Sequence, residues 1–145
     1  MSSDVAVNLL IFVRILYRRD ELMETVEIKS KRFAVRIARM VDYLRKDKKE
    51  FIITNQVLRS GTSIGANISE AQSSPSKKDF LAKMYIAFKE CGETLFWLET
   101  LYKSGILTDM EYKSINHDCI EIRKMLSAIT KTTKQNLEKE SKKMK

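Results

Sequence analysis

The chain has 145 residues, 43 % of them hydrophobic, which is enough for one domain with a core of its own. Four glycines and one proline argue against a turn-rich all-β fold, and two cysteines with one histidine are too few for a disulfide framework, a clustered metal site or most enzyme mechanisms. The 27 Lys and Arg against 19 Asp and Glu give a net charge of +8, which favours encounters with nucleic acid or an anionic membrane surface.

Residues 1–24 form an N-terminal extension that differs from the rest of the chain. Its apolar run, VAVNLLIFVRIL at residues 5–16, is shorter than the ~20 residues that span a bilayer. The run also lacks the positive charge and the cleavage site of a secretory signal, so we expect a cytoplasmic protein without membrane association. The apolar run predicts either an extra helix or strand packed on the domain, or a segment that orders against a neighbouring molecule. The other interpretation is that translation begins at Met23, so that residues 1–22 are not part of the protein.

Four amphipathic helices are predicted between residues 25 and 131, because apolar side chains recur there at spacings of three and four. The first apolar face holds Phe33, Ile37, Met40, Val41 and Leu44, and the second holds Val57, Gly61, Ile64, Ile68 and Ala71. The third holds Phe80, Met84, Ala87, Cys91, Leu95, Leu98 and Tyr102, and the fourth holds Tyr112, Ile115, Cys119, Ile122, Leu126 and Ile129. Short connections between such helices predict an all-α fold, an antiparallel up-down four-helix bundle over residues 25–131. Residues 132–145 are expected to form a basic C-terminal tail that is frayed at its end, over residues 142–145.

The helix ends carry recognisable signals. Thr54 is expected to cap the second helix, and Ser76 and Thr108 to open the third and fourth with capping boxes to Asp79 and Glu111. Gly105 suits the left-handed conformation that ends the third helix.

The second helix contains the least ordinary stretch of the chain, RSGTSIGANISEA at residues 59–71. Glycine costs a helix up to ~1 kcal/mol relative to alanine, so we expect a neighbouring helix to approach closely at Gly61 and Gly65. A polar stripe lies beside the apolar one and consists of Arg59, Ser63, Asn67 and Glu70. Its natural partners on the third helix share one face and are Glu90, Glu93 and Trp97. A structural network and a polar recognition surface are both open readings of this set.

A basic stripe on the first helix is the most suggestive charge pattern. It consists of Lys29, Arg32, Arg36, Arg39 and Lys46, with Tyr43 interleaved. The stripe is centred away from the apolar face, so its cations are expected to face solvent, where each can meet a phosphate and the tyrosine can stack on a base. A solvated outer face without a ligand is the alternative.

The sequence indicates no catalytic residue, cofactor or metal site. Glu90 and Glu93 resemble half of a carboxylate metal site, but the only histidine, His117, lies on another helix without a partner motif. Cys91 and Cys119 lie on apolar faces with no base spaced to activate them, which is typical of small buried hydrophobic residues.

Three motifs together carry a family resemblance: residues 59–71, the segment from Ser76 to Phe80, and the pattern of Lys89, Glu90, Glu93 and Trp97. In these, residues 25–131 resemble the bacterial four-helix-bundle proteins encoded in intervening sequences of large-subunit ribosomal RNA genes. The same family includes the accessory variability proteins of diversity-generating retroelements. The resemblance implies a homopentamer with a basic surface, and its retroelement branch implies binding to nucleic acid and to a reverse transcriptase.

We therefore expect a non-enzymatic homo-oligomer that binds RNA or other nucleic acid through basic helix faces. The alternative is a protein adaptor that scaffolds a partner enzyme such as a reverse transcriptase and has no direct nucleic-acid role. The motif residues from Arg59 to Trp97 are expected to be structural or to line a subunit interface.

Overall fold

The computed structural model describes residues 3–11 and 24–145, and every regular element within them is an α-helix. Five helices follow one another: α1 (residues 3–11), α2 (Val26–Asp47), α3 (Ile52–Gln72), α4 (Lys77–Lys103) and α5 (Asp109–Lys143). The prediction of an all-α fold is therefore confirmed.

The core forms where the apolar faces of α2, α3, α4 and α5 meet. Phe33, Ile37 and Leu44 of α2 are at most 1 % exposed, and the predicted face of α3 is buried along its whole length. Burying a large apolar side chain of this kind stabilises a fold by about 1.5–3 kcal/mol. Several other predicted face residues are half-buried at the margin of the core: Met40, Phe80, Leu95, Tyr102, Tyr112 and Ile129.

Two glycines allow α3 to lie close against α2. A Cβ atom on Gly61 would lie 3.0 Å from Cγ1 of Ile37, and one on Gly65 would lie 3.2 Å from the carbonyl oxygen of Ser30. The predicted close approach is confirmed, with α2 as the neighbour. The packing that it permits offsets the low helix propensity of glycine.

Each long helix packs against the next in the chain, and α5 also contacts α2. Residue numbers rise on one helix as they fall on its neighbour. On α2 and α5, for example, Lys29 pairs with Glu121 and Arg36 pairs with Asp118. The residue pairs between α2 and α3, α3 and α4, and α4 and α5 run in the same reversed order.

Most of the predicted helix ends are confirmed. The hydroxyl of Ser76 accepts a hydrogen bond from the backbone N–H of Asp79 at 3.1 Å, and Thr108 and Glu111 form a complete capping box. Only the Ser76 half of the other box forms, because the Asp79 carboxylate accepts from the Ser76 hydroxyl at 2.6 Å. Gly105 has a φ of 77° and ends α4 in the left-handed conformation.

The predicted cap at Thr54 is wrong. The helix begins at Ile52, and the Glu50 carboxylate accepts hydrogen bonds from the backbone N–H groups of Ile52, Ile53 and Thr54 at 3.1, 2.8 and 2.7 Å. These are donors that the first turn of a helix leaves unpaired. Thr54 lies buried inside the helix, where its hydroxyl donates to the carbonyl of Glu50 at 2.8 Å.

In the N-terminal extension, residues 3–11 form the helix α1, which agrees with the predicted helix but not with its predicted packing on the domain. Val5, Leu9 and Leu10 are each more than half exposed, so the described residues do not cover its apolar side chains. Residues 12–16, the rest of the predicted apolar run, lie outside the described residues. None of the described helices combines the length and the apolarity that a bilayer crossing requires.

The basic C-terminal segment is helical, because α5 continues to Lys143. Of the four residues expected to fray, Met144 and Lys145 lie beyond the helix. Thr133 and Leu137 remain half-buried, and Glu140 pairs with Lys77 at the start of α4. These contacts hold the first turns of the segment against the rest of the chain.

Candidate functional site

The α5-facing part of the basic stripe is engaged in ion pairs between helices. The Lys29 ammonium pairs with Glu121, and this hydrogen bond holds the pKa of the Glu121 carboxyl below its usual value. Arg36 reaches across to Asp118, with Nη1 2.5 Å from Oδ2. Its Nη2 also donates to the Ser114 hydroxyl at 2.8 Å. Lys29 and Arg36 therefore join α2 to α5, which the sequence analysis did not anticipate.

The rest of the stripe is open to solvent. Arg32 pairs with Glu24 at 2.7 Å and Lys46 with Asp42 at 2.9 Å, yet about three quarters of each basic side chain is exposed, 73 % and 77 %. Within residues 3–11 and 24–145, Arg39 makes no ion pair with a carboxylate. These three cations are therefore the part of the stripe that a polyanion can reach.

Tyr43 lies beside the exposed cations and keeps an accessible ring. The negative charge of Asp47 is the largest cause that raises the pKa of its phenol above the ordinary value, and the charge of Glu111 adds to it. The phenol is thus neutral at physiological pH, and 47 % of the residue is exposed.

An open groove with a volume of about 450 Å³ lies between α2 and the first turns of α5. Its lining combines apolar, aromatic and charged side chains: Arg36, Arg39, Met40, Tyr43, Leu107, Met110, Glu111, Ser114 and Ile115. Sequence reasoning missed the α5 half of this groove. The acidic and small residues at 111, 114 and 118 repeat at helical spacing, which is the signal that was available for it.

The family-motif residues form a second cluster between α3 and α4. The Arg59 guanidinium pairs with Glu93, and its Nη1 lies 3.6 Å from Oε2 of Glu90. The indole N–H of Trp97 donates to Glu93 at 3.3 Å. Burial, and then the charge of Glu93, raise the pKa of Glu90, whose Oε2 is buried without a hydrogen-bond partner among the described residues.

The remaining motif residues make other contacts. The Asn67 amide donates to the carbonyl and the hydroxyl of Ser63 at 2.8 and 3.1 Å, within α3 itself. Glu70 reaches α4 instead, where it pairs with Lys83 at 2.7 Å. The two ends of the predicted stripe, Arg59 and Glu70, therefore join α3 to α4. Its middle residues, Ser63 and Asn67, bond to each other within α3.

A buried hydrogen bond between Ser60 and Thr94, 3.0 Å long, reinforces the same contact and was not anticipated from the sequence. Both residues are small and polar, and their positions in the sequence do not predict that they form a hydrogen bond with each other.

The two cysteines lie in the core, and the histidine lies beside the ion pair of Lys29 and Glu121. His117 lies 3.0 Å from Glu121 on the surface of α5. Cys91 and Cys119 are buried, with the Cys119 thiol 3.6 Å from the carbonyl oxygen of Cys91. Within the described ranges, no three His, Cys, Asp or Glu side chains converge.

The helical extension of α5 is a further basic surface. Residues 131–145 contain six lysines and two glutamates, and their lysines lie exposed.

Residues 24–128 match the family described as 23S rRNA-intervening sequence protein. A solved crystal structure from Bacteroides thetaiotaomicron, of a protein with unknown function from the S23 ribosomal protein family, is 48 % identical in sequence with a TM-score of 0.73. That match covers 74 % of this chain and 99 % of the other. Among curated proteins, none matches this chain significantly.

Proposed function

The chain belongs to the 23S rRNA-intervening sequence protein family, and we propose that it is a non-enzymatic, self-associating protein that binds nucleic acid through the exposed part of α2. In this proposal α2, α3, α4 and α5 form an antiparallel up-down four-helix bundle, which the reversed residue pairings support.

The observation that carries the nucleic-acid proposal is the set of exposed cations Arg32, Arg39 and Lys46 on one side of α2. The helix rise of 1.5 Å per residue separates the first from the last by about 21 Å, which is long enough to meet several phosphates of one strand. The surface ion pairs of Arg32 and Lys46 contribute about 0–1 kcal/mol each, so phosphates can replace the carboxylates at little cost.

Salt titrations of RNA and DNA binding test this proposal. We expect the double variant Arg32→Glu/Arg39→Glu to bind at least tenfold more weakly and to lose about two units of salt slope, because each lost phosphate contact removes roughly 0.9 of a unit. The matched control is Lys142→Glu/Lys143→Glu on the α5 extension, which changes the net charge equally and should alter affinity less than threefold.

Circular dichroism should show the native helix content for both variants, because all four positions are exposed. An equal loss of nucleic-acid affinity in the two double variants would refute the role of α2. The absence of binding by the wild type at low salt would refute the nucleic-acid proposal as a whole.

Self-association is supported by an apolar face on α4. Tyr85, Ile86 and Phe96 lie within one sector of the helix, and Phe96 is 58 % exposed. Exposed apolar groups that share one face are typical of protein–protein contacts. The resemblance implies five copies.

Light scattering on Phe96→Glu tests the α4 face. We expect a smaller species than for the wild type, because the substitution buries a charge in the contact. Ile52→Glu, at an equally apolar but separate exposed position, is the control and should leave the assembly unchanged. A wild type that is monomeric at micromolar concentration would refute self-association.

A protein adaptor for an enzyme such as a reverse transcriptase is the second candidate function. The exposed aliphatic side chains of α1 favour it, because they offer a contact surface outside residues 24–128. Intact assembly without any nucleic-acid binding at low salt is the outcome that this candidate requires.

A further inference from the structure

The groove between α2 and α5 has the dimensions of a ligand site. Its volume of about 450 Å³ falls in the range of roughly 300–1,000 Å³ that is usual for small-molecule pockets. Leu107 and Ile115 belong to the core and give the groove a fixed apolar floor, and the half-buried Met40 continues that floor toward α2.

The rim of the groove is suited to a flat aromatic ligand. Tyr43 and Met110 line opposite sides of the groove, one from α2 and one from α5, and both are exposed. A tyrosine ring stacks on any nucleobase, because every base has a π face. The thioether of methionine is polarisable and adapts its shape to the edge of an aromatic ring.

The charges at the groove differ in their availability. Arg36 is held by Asp118 and Ser114, whereas Arg39 makes no ion pair with a carboxylate in the part of the chain that the structure describes. Arg39 is therefore the lining cation that can accept a phosphate without first releasing a partner. Glu111 adds a carboxylate to the same lining.

We propose that this groove binds one unpaired nucleobase of a single-stranded nucleic acid, stacked on Tyr43, with the neighbouring phosphate at Arg39. The inference rests on the proposed function and deepens it, because it selects single strands over duplexes. A base within a duplex is stacked on both faces and cannot offer a free face to the groove.

The carboxylate of Glu111 adds a preference among bases. One of its oxygens accepts from the backbone N–H of Thr108 at 2.9 Å, and a carboxylate has further lone pairs for other donors. Cytosine presents an amino group to such an acceptor, whereas uracil presents a carbonyl oxygen at the same position. We expect oligocytidine to bind more tightly than oligouridine of the same length.

Fluorescence anisotropy with labelled twelve-nucleotide RNA tests the inference, using oligocytidine, oligouridine and a twelve-base-pair duplex. We expect Tyr43→Leu to lower the affinity for oligocytidine roughly 5- to 150-fold, the range expected for one lost base–aromatic stack, and to change duplex binding less than twofold. Tyr43→Phe keeps the ring and should retain the affinity. Phe51→Leu, which removes an exposed aromatic ring that does not line the groove, is the control and should change neither affinity.

Arg39→Gln should lower the affinity for oligocytidine and the affinity for the duplex, because it removes a phosphate contact common to single strands and duplexes. The inference is overturned if the wild type binds duplex and single strand alike and Tyr43→Leu has no effect, although the proposed function would then stand. If the wild type binds neither polymer at low salt, the proposed function and this inference fail together.

Discussion

Replacing Gly65 with alanine should destabilise the protein, although alanine is the better helix former. The new methyl group would lie 3.2 Å from the carbonyl oxygen of Ser30, which belongs to the backbone of α2 and cannot rotate away as a side chain can. Helix propensity favours alanine by about 1 kcal/mol, whereas overpacking a close contact costs about 1–3 kcal/mol. We expect a net loss of about 1 kcal/mol in the free energy of unfolding.

The matched control is Gly92→Ala in the middle of α4. Among the described residues, nothing beyond the adjacent turns of α4 lies within 4 Å of a Cβ built on Gly92. Only helix propensity therefore acts, and the substitution should stabilise by up to about 1 kcal/mol. The two variants should therefore differ by roughly 2 kcal/mol, or about 4–8 °C in Tm for a domain near 150 residues.

Urea unfolding, followed by circular dichroism at a single protein concentration, measures this difference. The m value should stay unchanged, because both substitutions leave the buried surface nearly the same. Equal stabilisation by Gly65→Ala and Gly92→Ala would show that α2 can move aside, and would refute the argument that the glycine is required by the helix contact.

Three further predictions concern titratable groups. Glu50→Ala should cost about 1 kcal/mol at pH 7 through loss of the helix cap. Burial raises the pKa of Glu50, but its three backbone donors outweigh this effect, so the pKa lies below its usual value. The wild type should therefore be more stable than the variant above pH 4.5, and the difference should disappear as acid protonates the folded carboxyl. A stability difference that does not depend on pH would contradict this reasoning. Glu90→Gln should stabilise by about 1 kcal/mol at pH 7, because burial and then Glu93 raise the pKa of Glu90. The penalty of its charge grows as the pH rises above 4.5 and is complete above the raised pKa. The gain should vanish below pH 4.5, and a loss at pH 7 would contradict the reasoning. A hydrogen bond to Cys91, and then burial, raise the pKa of the Cys119 thiol, and both cysteines are buried. Neither cysteine should therefore react with Ellman's reagent until the protein unfolds. Rapid reaction of the native protein would contradict their burial.

The sequence predicted the buried faces well because one periodicity governs them. Residues three and four apart share a helix face regardless of what lies opposite, so the burial of Ile37, Ile64 and Ile122 follows from spacing alone. The partners of polar residues depend on how far each helix is rotated and shifted along its neighbour. That is why the pairing of Arg36 with Asp118, 82 residues away, was not predictable from spacing on α2.

The helix ends illustrate the same limit on a smaller scale. Glu50 and Thr54 both carry oxygens that can accept from free backbone N–H groups, and their spacing fits two different starts of α3. The choice is decided by the core, because Thr54 is fully buried and therefore belongs inside the helix. At the other end of the chain, residues 132–143 remain helical without an apolar face, since lysine, glutamate and glutamine are good helix formers.

The ion pairs of α2 change how its positive charge has to be counted. The stripe has five cations, but Lys29 and Arg36 hold α2 against α5, and a phosphate that captured either would weaken that contact. The affinity of one copy for a polyanion is therefore set by Arg32, Arg39 and Lys46, and it should be weaker than the net charge of +8 suggests. Self-association then becomes a requirement of the proposed function, because an assembly repeats these three cations in every copy. A strand that spans several copies binds through many weak contacts, which raises its affinity only when the spacing of the copies lets it engage them together.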